Sequence, residues 1–181
     1  MRGPNPSRRR LLKQGVLLGV AAAGGPALAG ELRLADLPAA RAAIRQLQAR
    51  SALQSSAGMS PYRTLVHCAQ SIEYSLSGYP QLKPRWFRAS LGRSAAQYFL
   101  WRGAMQHDLD APLPGAPVIA ANGSLSEAFA RLHRALDAFE QAAAHGRPLA
   151  EHFAYGPLPA DQYASLHAYH LAEHLGSLGL A

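Results

Sequence analysis

The chain has 181 residues, 49% of them apolar and 16% charged, a composition that fits one globular domain and excludes a disordered or fibrous chain. Its formal charge of +7 would suit a nucleic-acid binder, but five of its 18 cations, Arg2, Arg8, Arg9, Arg10 and Lys13, precede the first acid, Glu31. Beyond residue 29 the excess falls to +2 and no basic run remains, so a nucleic-acid footprint is excluded.

The N-terminus reads as an export signal. A basic region precedes the apolar stretch GVLLGVAAAGGPALA, and Ala27-Leu28-Ala29 supplies a small-x-small site for cleavage after Ala29. SRRRLLK carries the paired arginines of twin-arginine signals, which makes that translocation machinery the expected partner during export. From Gly15 to Ala29 the apolar run is 15 residues, short of the ~20 needed to cross hydrocarbon, so no membrane span is expected in the mature form. The expected organisation is a signal peptide over 1–29 and one domain over 30–181, located in the periplasm or otherwise exported. Cys68 is the only cysteine, so no internal disulfide can form, and a place in the core is expected for it.

Asp36 can cap a helix through LPAARAAIRQLQARSAL, with Leu37, Ala40, Ile44 and Leu47 along one face. Ser60 as N-cap, Pro61 at the first helical position and Gly78 before Pro80 bound a second helix. Between Pro84 and Gly103, Phe87, Leu91, Ala95 and Phe99 recur every fourth residue and predict a third. DLDAPLPGAPVIAANG has no usable period and reads as a long ordered loop, either bordering a site or merely connecting. Ser124 and Glu127 then form a capping box, and Leu125, Phe129, Leu132, Leu136, Phe139 and Ala143 follow 4,3,4,3,4 spacing up to Gly146. The last helix starts near Pro159, carries Asp161 in its first turn and runs to about Gly176. Nothing alternates with period two, so the expected fold is all-α: an antiparallel four-helix bundle with one extra helix in the crossover.

Three of the eight histidines, His167, His170 and His174, crowd onto that last helix. His170 and His174 stand about 40° apart around the helix axis, near enough to grip one ion. A third ligand must come from another helix, and His67 is the candidate, because it shares a polar stripe with Gln70, Ser71 and Tyr74 on an otherwise apolar helix. His167 falls close to His170 in angle and could replace it or orient a ligand. The bland alternative is a set of ordinary surface or core histidines. HLAEH also satisfies the H-x-x-E-H pattern of inverted zinc peptidases, with Glu173 as base, but only seven residues follow His174 and no downstream ligand is available. His107, His133 and His145 are expected on the surface.

HCAQSIEYSLSGYP, the PLPGAP loop, HFAYGPLP and the terminal HAYHLAEHL together resemble a family of unknown function within the DinB/YfiT-like superfamily of metal-dependent enzymes, over roughly Leu32 to Leu175. The resemblance implies a four-helix bundle with a three-histidine site, one ligand from the second helix and an H-x-x-x-H pair from the last, which fall on His67, His170 and His174. One departure is Met59, where such proteins tend to carry a tryptophan shortly before the second helix.

Three neutral histidines would leave a divalent ion, of zinc, nickel or iron type, its full charge and an open place for water, which suits hydrolysis of an unknown small-molecule substrate. The resemblance also implies transferases that activate a low-molecular-weight thiol. His167, His152, Tyr155 and Glu73 are the candidates for a catalytic acid or base. The competing expectation is a non-catalytic protein that binds metal or a partner; a coordinatively closed site would mark it, and an open position beside a placed acid or base would mark an enzyme.

Overall fold

The computed structural model describes residues 31–180. The expected signal and cleavage site, residues 1–29, lie outside the described residues. Among the described residues the molecule is all-helical, with α1 (Leu37–Gln48), α2 (Pro61–Ser77), α3 (Arg85–Phe87), α4 (Arg93–Arg102), α5 (Leu125–Ala144) and α6 (Ala160–Ser177). A π-helical turn, Arg88–Gly92, joins α3 to α4, and the only β-type pairing among these residues is an isolated bridge between His152 and Gly156.

Side chains start three of these helices by accepting otherwise unpaired backbone N–H groups. Asp36 accepts from Ala39 N at 2.8 Å, Ser60 from Arg63 N at 3.3 Å and Ser124 from Glu127 N at 3.3 Å. The first helix stops at Gln48, short of the expected Leu53. After Ile44 and Leu47 the inward stripe would continue at Gln48 and Ser51, both polar, so there is no apolar face left to bury.

The long helices α1, α2, α5 and α6 share one core. α2 packs most extensively on α5, α1 packs chiefly on α6, and α6 also touches α2 and α4. Ile44, Leu47, Leu65, Ile72, Leu132, Leu136, Phe139, Leu171 and Leu175 are removed from water there, each contributing about 1.5–3 kcal/mol of transfer free energy. Cys68 lies in the same core, where burial pushes its thiol pKa up and away from reactivity.

Between α2 and α5 the structure departs from the expected stripe. Leu91 is exposed while Ala96 is buried, so the register of Phe87, Leu91, Ala95 and Phe99 does not hold. The π turn is the cause: i→i+5 bonding winds more residues into a turn and rotates everything after it away from the 3.6 period. Gly92, buried in this turn, lies against the Ala154 carbonyl, where a Cβ would collide. α4 ends at Gly103, whose φ of 67° is in the left-handed region.

The segment that follows is held to the start of α2. Asp110 accepts from Gly58 N at 3.1 Å and Met59 N at 2.8 Å, and the Ser60 hydroxyl donates to Ala121 O at 2.6 Å. Met59, in place of the tryptophan, is itself buried beneath this strap.

Candidate metal centre

Helix periodicity brings His170 and His174 onto one face of α6, with ring centroids 4.6 Å apart. α2 delivers His67 against both, 5.3 Å from His170 and 4.7 Å from His174. All three rings are buried. The structure adds a fourth. His107, expected on the surface, lies 5.0 Å from His170 and 5.1 Å from His174, its side chain 29% exposed. One ring nitrogen from each of His67, His107, His170 and His174 lies within 4.8 Å of the others, an arrangement that could hold a metal ion.

His107 belongs to no periodic element, so its spacing gives no sign of where the ring lies; it follows the Gly103 turn, in a segment whose position is decided by what it meets. What it meets is Glu173 on α6. The Glu173 carboxylate accepts from the His107 backbone N–H at 2.8 Å and lies 2.5 Å from Nδ1. A carboxylate can only accept, so Nδ1 carries a proton, and Nε2 is the nitrogen turned toward the other rings. That Nε2 is 3.2 Å from His174 Nε2.

The electrostatics keep the buried rings neutral. Burial, and secondarily the neighbouring His107, lowers His67 to about 4. Burial and then the surrounding imidazoles hold His170 and His174 well below the usual histidine value. Neutral imidazole is the form that ligates metal. His67 Nε2 is also buried with no hydrogen-bond partner among the described residues, an arrangement that costs about 1–3 kcal/mol unless another group engages the nitrogen. Four converging imidazole nitrogens, three of them on rings that burial keeps neutral and one of those three orphaned, fit a borderline-soft divalent cation.

A family profile described as "Protein of unknown function (DUF1569)" matches residues 28–179. The chain belongs to the DUF1569 family. The match spans α1 to α6 and all four clustered histidines. No curated protein and no solved structure matches the chain.

In this DUF1569 chain the remaining candidate residues lie outside the cluster. His167 is wedged between Tyr163, stacked at 5.1 Å, and Phe139, edge-on at 5.0 Å, deep in the core. His152 stacks on Tyr155 at 4.1 Å, and its Nδ1 accepts from Ala154 N at 3.1 Å and Tyr155 N at 3.2 Å, which folds the loop before α6. Both histidines are lowered to about 3 by burial, so at neutral pH each is a neutral ring rather than an imidazolium acid. Burial pushes the Tyr155 hydroxyl up and leaves it a poor acid. Glu73 is taken by a bidentate pair with Arg131, at 2.8 and 2.7 Å. His133 is partly exposed and pairs with Gln48, and His145 is exposed near the end of α5, as expected for surface residues.

Proposed function

We propose that this protein binds one divalent transition-metal ion of zinc, nickel or iron type through His67, His107, His170 and His174. On this reading α1, α2, α5 and α6 form a DinB/YfiT-like bundle, with α3 and α4 in the crossover. The observation that carries the reading is the convergence of four imidazole nitrogens from α2, α6 and the segment after α4, within 4.8 Å of one another. Four imidazole ligands would fill the places such an ion usually offers and leave none for water, which favours metal binding without catalysis. The positions of His152, His167, Tyr155 and Glu73 support the same choice, since none stands among the clustered rings as a free acid or base.

A metal-dependent hydrolase is the second reading, favoured by one feature: His107 is the only partly exposed ring of the four and the only one not on a helix. Release of His107 would leave a three-histidine set with one open place. When bound, such an ion supplies Lewis-acid charge that polarises a substrate carbonyl. Glu173, freed from His107, would then be a carboxylate beside the cluster able to take up a proton.

Export through the twin-arginine route belongs to the proposal, supported by Arg8 and Arg9 and by a family match that begins at residue 28, beside the expected cut after Ala29. Elemental analysis of the purified protein tests the core of the reading. One equivalent of metal is expected in the wild type and a marked loss in His170→Ala; wild type without metal after growth in zinc, nickel and iron would end it. An esterase and amidase screen of wild type and His107→Ala separates the two readings, since only the hydrolase predicts turnover. Retention of an Arg8→Lys/Arg9→Lys variant in the cytoplasm tests the route.

A further inference from the structure

Between Glu73 and Asp108 the chain contains no acid, but it carries Lys83, Arg85, Arg88, Arg93 and Arg102. Both tryptophans of the protein fall in the same stretch, and both are exposed: Trp86 by 67% and Trp101 by 82%. Exposed tryptophan is unusual, because the ring is among the most valuable side chains to bury.

These residues are organised by α4. Ala96, Phe99 and Leu100 point inward, Ala96 fully buried. On the opposite face Ser94, Tyr98 and Trp101, spaced 4 and 3, form an exposed stripe that continues the exposed Leu91 of the preceding π turn, and the Tyr98 and Trp101 rings touch with centroids 6.0 Å apart. The helix is therefore apolar on two sides, and only one of them is used by the fold. Arg88 pairs with Glu151 and Arg102 with Glu31, whereas Lys83, Arg85 and Arg93 have no ion-pair partner among the described residues. Arg85 and Arg93 also line a cleft of about 210 Å³ with Tyr155 and Pro157.

We propose that the outer face of α3 and α4 docks onto an anionic lipid bilayer, with Trp86, Leu91, Tyr98 and Trp101 at the level of the headgroups and Arg85 and Arg93 against lipid phosphates. Charge argues for this occupant. A second copy would place the same unpaired cations against each other across a two-fold contact, whereas an anionic bilayer neutralises them. Indole and phenol rings flanked by arginine have the amphipathic character that settles at a membrane interface. No helix among the described residues is long and apolar enough to cross a membrane, so the contact is a surface one.

Because both tryptophans lie on this face, their fluorescence reports on it in the full chain. Vesicles of equal parts phosphatidylglycerol and phosphatidylcholine should blue-shift the emission, and brominated acyl chains should quench it. Arg85→Gln/Arg93→Gln, checked for unchanged circular dichroism and melting, should weaken binding by about tenfold or more, and added salt should act in the same direction. The proposal is overturned if the chain sediments with vesicles while tryptophan emission is unchanged, since another segment then makes the contact. Equal binding to pure phosphatidylcholine, or to anionic vesicles by the arginine variant, also overturns it. So does a blue shift that follows protein concentration without lipid, which would assign the face to a second copy.

Discussion

Glu173 illustrates how one side chain can satisfy a motif and serve another purpose. In HLAEH it holds the place of a general base, yet both its oxygens are engaged by His107. It fixes the direction of the His107 ring, the part that carboxylates play behind histidines in metal sites. Glu173→Gln should therefore lower metal affinity by about 10–100-fold, less than His67→Ala, with the helical content unchanged; competition titration with a chromophoric chelator reads the difference. His167 shows the opposite case, a histidine used as an aromatic ring. Its folded value, lowered by burial to about 3, lies below the unfolded one near 6.5, so it stabilises fully above about pH 6.5 and loses that contribution as the pH falls toward 3. In metal-free protein, His167→Phe should reduce the loss of stability between pH 6.5 and 4.5 by about 1.4 kcal/mol per pH unit, read from denaturant titrations at each pH. An unchanged pH slope would show that the ring is not held neutral by burial.

Individual elements were readable where a helix has both a cap and an apolar stripe. Asp36, Ser60 and Ser124 mark starts that the structure keeps, and the capping-box helix buries Phe129, Leu132, Leu136 and Phe139 as its spacing requires. The stretch after Pro84 was only partly readable, because a π turn leaves no mark in a four-residue repeat. Its cause is a tertiary contact: Gly92 admits the Ala154 carbonyl and so seats α4 against the 151–157 loop. Gly92→Ala should cost about 1–3 kcal/mol through overpacking and loosen the α4 face, measurable as a lower midpoint in urea and faster amide exchange across Arg88–Arg93. The surface stripe of Trp86, Leu91, Tyr98 and Trp101 is the reverse side of the same turn, since the rotation that buries Ala96 carries Leu91 outward.

At the scale of the whole molecule the proposed ion joins three parts of the chain that are distant in sequence, α2, α6 and the segment after α4. A ligand that binds only the folded state stabilises it by mass action, about 2.7 kcal/mol at a hundredfold excess over Kd. For a domain of this size that corresponds to a rise in Tm of roughly 5–10 °C. The expected result is such a rise on adding zinc or nickel, reversed by chelator and reduced in His107→Ala; an identical Tm with and without metal would separate the histidine cluster from ion binding.

Local sequence determined the helices and the neighbourhood of His170 and His174, because caps act within a turn and residues four apart meet on any helix. It also marked His67 as a polar residue out of place on an apolar face. It could not supply His107, which lies in a segment without a period and is positioned by Glu173, 66 residues away. Nor could it distinguish the core ring of His167 from a ligand, since 60° around one helix is settled only by which neighbours fill the space. Tertiary structure decided those matters through packing: the Gly103 turn, the Asp110 strap and the α6 carboxylate together bring in the fourth imidazole.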